Sequence, residues 1–313
     1  MSSLPFGIRS VTICDAPALE AARGELSRRD RAGLDAPDGE LLAFASGLKR
    51  LLKRERLTAR WAERLRSGPW LAGADVRLFR GEREDDVTLF AAREPALLDR
   101  VLALEAEERR PGGHRARVIA AFGEALGYPA CCARAFASAA VHDDASVLAR
   151  LLPSGAWGAL PWPSNPFVPG VSLVTHYACH PGCAESRAQG LALFERLAVT
   201  EPARAERARR LLTAPLVLFD RFRLVALEGA TFDGDDVAWE RAWLPFEGTP
   251  EPACATDAAA RLFLTHVAPL FAASDRLRRT VDGLRLTRAG SPVADVSLAP
   301  GAPPWLVAPR DEP

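Results

Sequence analysis

Four cysteines in two close pairs carry the chemistry this sequence offers. Cys131 and Cys132 are adjacent, and Cys179 and Cys183 are separated by three residues. Thiolates are nucleophiles, redox groups and soft metal ligands, so such pairs point to a metal ion, an iron–sulfur cluster or a dithiol. The first pair ends the run Gly127-Tyr-Pro-Ala-Cys131-Cys132, and the second lies in His176-Tyr-Ala-Cys179-His180-Pro181-Gly182-Cys183. Gly127 suits the residue after a helix and Pro129 the first residue of the next, which predicts Cys131 and Cys132 in a first helical turn. Pro181 marks a second helix start, with Cys183 in its first turn. Backbone N–H groups are unpaired at such ends and the dipole is positive, so both positions favour thiolate. Arg134, three residues after Cys131, and Arg187, four after Cys183, fall on their cysteine's helix face. There they would offset the thiolate charge of a bound cofactor.

Three readings of these thiols compete: a shared metal or cluster site, a redox dithiol, and plain core cysteines. The C-x-x-x-C spacing departs from the redox C-x-x-C, and adjacent cysteines are hard to bridge without strain. Four thiolates suit zinc or an iron–sulfur cluster. A zinc knuckle generally spaces its ligand pairs by ~2–4 residues, whereas a cubane spreads its metal corners and accepts a C-C pair. The spacing therefore points to [4Fe–4S] on Cys131, Cys132, Cys179 and Cys183, with zinc on the same residues as the alternative. If one cysteine is not a ligand, the open iron becomes a Lewis acid.

Polar residues nearby are candidates for catalysis or cofactor binding. His176 and His180 flank Cys179 and could serve as alternative ligands, proton donors or hydrogen-bond donors to sulfur. His176, at the exit of a Pro/Trp-rich stretch, is the catalytic candidate and His180 the cofactor-binding one; either could instead be a loop histidine bonded to backbone. Asn165, in Pro-Ser-Asn-Pro-Phe, could orient a polar group of a substrate or form an Asx turn. Cys14, Cys254, His114, His142 and His266 carry no partner pattern. The sequence contains no G-x-G-x-x-G and no P-loop, so nucleotide-cofactor binding has no positive support.

The elements that must hold these residues read as mixed α/β (α+β). A strand at Gly7–Cys14 leads to a helix over Pro17–Ser27 capped by Asp15. Apolar residues from Leu41 through Trp61 recur at about a 3.6-residue period, predicting one helix from Glu40 to Arg66. Lys49, Arg50, Lys53, Arg54 and Arg56 give it a basic face, read as solvated or as a contact for phosphate or RNA. Asp75–Arg80 and Val87–Ala91 form a hairpin, followed by a helix over Glu94–Glu108. The breaker run Arg110–His114 marks a boundary. Two helices then surround the first cysteine pair. Leu152–Thr175, with Pro153, Pro161, Pro163, Pro166, Pro169, Trp157, Trp162 and Phe167, reads as an ordered loop covering the centre. Helices at Gly190–Leu197 and up to Leu212 follow. Then come strands near Pro215–Phe219 and Arg223–Leu227, a helix over Ala258–Phe271, and strands Leu284–Thr287 and Val293–Leu298. The Pro-rich tail from Pro300 reads as frayed apart from Trp305. The expected organisation is thus an α/β region at 1–110, a helical cysteine-containing centre at 111–200 and an α+β region at 201–313.

Composition narrows the setting. Forty basic and forty acidic residues among 313 give no net charge, which argues against a long-range grip on nucleic acid or anionic membranes. Hydrophobic residues at 48% and charged ones at 26% are ordinary for a globular core. Nearly all the basic residues are arginine; Lys49 and Lys53 are the only lysines. No run approaches the ~18 apolar residues of a membrane helix, and the first residues lack the features of a signal peptide. The expectation is a cytoplasmic protein with no membrane partner, in which cysteines serve chemistry more than disulfides.

The motifs resemble those of an uncharacterised prokaryotic family, defined by a G-Y/F-P-x-C-C helix start and a downstream H-x-P-C-x-x-x-C. Gly127 through Cys132 matches the first motif fully. His176 through Cys183 matches the second, with Ala178 in place of the proline, and the resemblance covers about residues 120–190. It implies a cysteine-dependent centre and no particular reaction. The C-C pair with a later close pair is also loosely similar to the iron–sulfur sites of heterodisulfide-reductase-type subunits and non-cobalamin epoxyqueuosine reductases, whose second pair is C-x-x-C. The expected function is iron–sulfur redox or sulfur-related chemistry on a small molecule or modified nucleotide, with a small-molecule substrate or electron donor as partner. The alternatives are a non-catalytic binding module with structural zinc, and a dithiol oxidoreductase.

Overall fold

The computed structural model describes residues 7–28, 39–81, 87–108, 115–139, 147–148, 151–152, 157–168, 171–220, 223–244, 262–299 and 304–310. They form three sheets with helices packed against them, a mixed α/β class as expected. The sequence opens with β1 (Ile8–Ile13) and α1 (Ala16–Arg28), and Asp15 Oδ1 caps that helix by accepting the Ala18 N–H at 2.9 Å.

The single helix expected over Glu40–Arg66 is instead α2 (Gly39–Ala45), β2 (Leu51–Leu57) and α3 (Ala59–Ser67). Gly47, at φ 79°, turns the chain out of α2, and Thr58 Oγ1 starts α3 by accepting the Trp61 N–H at 3.2 Å. The 3.6-residue pattern fitted because it runs through two short helices, and the strand between them starts with two adjacent buried leucines, Leu51 and Leu52, followed by four charged residues. Such a strand shows no alternation to distinguish it. The expected hairpin, β3 (Asp75–Arg80) and β4 (Val87–Ala92), completes an antiparallel sheet in the order β2-β4-β3. Leu52, Leu89 and Ala91 face α2 and α3, while Leu51, Phe90 and Ala92 share a core with α4 (Pro95–Glu108) and α5 (Arg115–Ala125).

The first cysteine pair lies on α6 (Ala130–Ala137). Beyond it, β5 (Trp157–Pro161), α7 (Ala184–Thr200), α8 (Pro202–Leu212), β6 (Leu216–Leu218) and β7 (Leu224–Glu228) follow. Three short strands, β8 (Thr231–Asp233), β9 (Asp236–Ala238) and β10 (Arg241–Trp243), come next. A widened helical turn at Phe263–Val267 runs into α9 (Ala268–Ala272), with Pro269 in its first turn. Four strands end the chain: β11 (Arg276–Thr280), β12 (Gly283–Arg288), β13 (Ser291–Leu298) and β14 (Trp305–Arg310). They build a six-stranded sheet, β1-β13-β12-β11-β9-β8, and a five-stranded sheet, β10-β7-β6-β14-β5. The second is buried on both faces: Leu216, Leu218 and Val307 join the core under α7 and α8, and Val217, Val225 and Leu306 join the core shared with the six-stranded sheet. Strand pairing ties the three expected segments together, since β1 pairs with β13 and β5 with β14.

Two further expectations are corrected. The Pro/Trp-rich stretch is not a covering loop. Its Trp157–Pro161 portion is a strand parallel to β14, and Trp162, Phe167, Val168 and Leu173 are core residues beneath α7. Gly190 of α7 is required there, because a Cβ would stand 1.8 Å from the Pro163 carbonyl oxygen. The tail is not frayed over Trp305–Arg310, where β14 lies between β6 and β5. Pro309 is tolerated because β6 pairs only with Trp305, Leu306 and Val307. The boundary at Arg110–His114, the start of the Ala258 helix, His142 and Cys254 lie outside the described residues.

Candidate metal centre

Helix-end chemistry positions the first cysteine pair. After α5, the Gly127 N–H donates to Glu124 O and the Tyr128 N–H to Gly123 O, both at 3.0 Å, with Gly127 at φ 85°. That pair of hydrogen bonds is the Schellman ending glycine permits. Pro129 then caps α6, one position earlier than the sequence suggested, so Cys131 and Cys132 are the second and third helical residues. The Cys183 N–H donates to His180 O at 3.1 Å, and Cys183 caps α7 itself, one residue before its first turn.

The two helix starts converge. Cys131 Sγ lies 3.8 Å from Cys132 Sγ and 3.7 Å from Cys183 Sγ, and Cys132 and Cys183 are 3.6 Å apart at sulfur. With Cys179, all four sulfurs fall within 4.8 Å of one another, a group that could hold a metal ion. The Cys179 N–H points at Cys132 Sγ from 3.3 Å. Cys132 and Cys183 are buried, while Cys131 and Cys179 are half-buried. Ala178, at the position of the motif's proline, is packed against them. Cys14 is exposed and remote in sequence from the group.

The thiols resist ionising together. Burial pushes Cys131 up to about 11, reinforced by Cys183, and burial raises Cys132 still further. For Cys183 burial again opposes charge, but the Ser186 N–H and the neighbouring thiols outweigh it and lower its pKa. One thiolate is thus favoured, and a bound cation would favour further ones.

The other candidate residues stand differently. His176 is buried, with Nε2 2.7 Å from Ser186 Oγ on α7 and its ring 5.2 Å from that of Tyr128. Burial, then the nearby Lys49 charge, lowers its pKa to about 4, so the ring is neutral. His180 is exposed. Arg134 turns to solvent, 3.9 Å from Glu124, and Arg187 is half-buried within α7. Asn165 is fully buried and forms an Asx turn, its Oδ1 accepting the Phe167 N–H at 3.0 Å. Its Nδ2 has no hydrogen-bond partner among the described residues.

Sequence reasoning passed over the residues on the upstream side of the centre. Lys49 belongs to no solvated helix face: it is buried, ion-paired with Glu40 and 5.1 Å from the Tyr128 ring centroid. Lys53 likewise pairs with Glu55 and Glu105 and lies over Phe122, and Arg50 pairs with Glu94. The signal was present, since these are the two lysines of a chain that otherwise uses arginine.

No helix among the described residues is long and apolar enough to cross a membrane. Comparison with family models, with curated proteins and with solved structures returns no match.

Proposed function

We propose that this chain is a zinc-binding protein in which Cys131, Cys132, Cys179 and Cys183 ligate one Zn²⁺ that fastens the start of α6 to the turn before α7. The observation that supports it is the sulfur spacing. Four ligands about 2.3 Å from one tetrahedral ion stand about 3.8 Å apart; the separations among Cys131, Cys132 and Cys183 are 3.6–3.8 Å, and Cys179 lies with them inside a 4.8 Å group. A cubane places each cysteine on a different iron corner and holds the sulfurs wider apart. Adjacent cysteines also lose their force as an argument against a single ion, because both sulfurs reach one point from the first turn of α6. Four protein thiolates complete the coordination, so the ion's role is structural.

The second reading is a [4Fe–4S] centre for redox or sulfur-related chemistry on a small molecule or modified nucleotide. It is favoured by the half-buried Cys131 and Cys179, which open one side of the group to a donor or substrate. Metal, iron and sulfide analysis of anaerobically purified protein separates the two. One zinc per chain and no absorbance near ~400 nm support the structural ion. A brown protein with equal iron and sulfide overturns it in favour of the cluster. Metal-free protein with a titratable cysteine couple overturns both and leaves the dithiol.

A further inference from the structure

Beside the thiol group lies a cavity of ≈ 100 Å³, walled by the residues that lead into the two cysteine pairs. Tyr128 precedes Cys131 by three residues and His176 precedes Cys179 by three, and α2 and the turn after it close the third side with Lys49. The Lys49 side chain is 10% exposed. Its ammonium has three donors, of which Glu40 Oε1 takes one while the Tyr128 ring covers another side. Glu40 is committed on both oxygens, to Lys49 and, at 3.4 Å, to Arg54. The cavity therefore presents unspent positive donor capacity and no unspent carboxylate. The Tyr128 hydroxyl adds a donor, and among the described residues His176 binds Ser186 through one ring nitrogen. Leu48, Leu173 and Leu193 supply an apolar part of the lining.

The geometry points to a binding site for a small carboxylate with a short apolar tail, its oxygens on Lys49 and Tyr128 and its tail against the leucines. A buried ammonium with spare N–H groups is a strong, charge-assisted partner for an oxyanion. Size limits the ligand: a closed cavity of about 150 Å³ takes benzene, so a ligand here is smaller or projects from the mouth. This site does not depend on which metal the cysteines hold, and none of its polar groups is a cysteine.

Propionate is the probe, read by saturation-transfer NMR on the full-length protein as purified, with 1-propanol as the uncharged control. Transfer to propionate that saturates at millimolar concentration, with little to propanol, is the expected result. Lys49→Met should weaken propionate roughly tenfold or more, the loss of one hydrogen bond to a charged group, with metal content unchanged. Because Lys49 is buried, Leu48→Trp provides the independent variant: Leu48 is 51% exposed, so a larger ring there should block the cavity without disturbing the core. Absence of saturation transfer in the unmodified protein overturns the site. So does equal transfer to propanol, or propionate binding untouched by Leu48→Trp.

Discussion

The thiol centre and the lysine cavity are built by the same two backbone segments, yet they bury polar groups by opposite means. In the cavity the charges arrive balanced, since Lys49 and Glu40 are both buried and ion-paired. In the centre four like groups meet, and burial raises Cys131 and Cys132 above the ordinary thiol range. One side has its charges paired within the chain and keeps N–H groups to spare; the other is a group that could take a cation from outside. Helix ends explain why both can share the segments. Tyr128 and His176 come before the helices start, where side chains can turn toward α2, whereas Cys131, Cys132 and Cys183 occupy the cap and first turn, where N–H groups tolerate anionic sulfur.

The largest expected effect separates the two sides directly. Cys131→Ser and Cys183→Ser should each abolish metal binding and lower the unfolding midpoint by roughly 10 °C or more, because binding free energy of a structural ion is folding free energy. Cys14→Ser, exposed and outside the group, should keep full metal content. Equal metal content in all three, measured by elemental analysis, would break the comparison by removing the need for an external cation.

Next in size is the loss of one partner from the balanced pair. Lys49→Met leaves Glu40 buried without the lysine and should cost about 3–5 kcal/mol in urea unfolding. Replacing both, Lys49→Met with Glu40→Leu, should recover much of that loss, because an apolar pair of similar volume avoids desolvation. A double variant no more stable than the single would show that Glu40 matters mainly through Arg54.

How much of this was legible in the sequence follows from what each residue type announces. The centre was legible because cysteine pairs are rare and Gly127, Pro129 and Pro181 punctuate helix ends. The edge-to-centre order of the sheets was not. β14 is three apolar residues long where β6 pairs it, and its proline and flanking glycine and prolines read as a loose tail. β2 was absorbed into a helix because the adjacent Leu51 and Leu52 and the charged run after them lack the alternation that marks a strand. The cavity was hidden for a related reason. Lys49 acquires its meaning only when the Gly47 turn and β2 carry it onto Tyr128, and charge patterning alone reads a lysine as solvent-facing. Spacing along the chain favoured a cluster; the distances between the sulfurs, which that spacing does not report, are the basis for proposing zinc.

A third effect tests the neutral group that lies between the two sides. Burial holds His176 at about 4 in the folded protein, against an ordinary value of 6.5. Between those limits the unfolded chain binds the extra proton, so stability is complete above pH 6.5 and is lost as the pH falls toward 4, by about 3 kcal/mol at most. Thiol protonation releases metal over an overlapping range, so the measurement belongs in the metal-free Cys131→Ser protein. There, His176→Gln should flatten the acid limb of stability against pH. An unchanged limb would assign the acid sensitivity to other groups.

The smallest effect concerns Asn165, a buried neutral group that is half satisfied. Its Oδ1 holds the Phe167 N–H, while Nδ2 has no partner among the described residues. Asn165→Ala therefore removes one good hydrogen bond and one unsatisfied donor together. The first loss leaves the Phe167 N–H without its acceptor, at about 1 kcal/mol, and removal of the second returns part of it. Stability should fall by less than about 1 kcal/mol, with metal content and propionate binding unchanged. If propionate binding falls with it, Asn165 reaches the cavity, and the turn it forms is a wall of that site as well as a support for the core beneath α7.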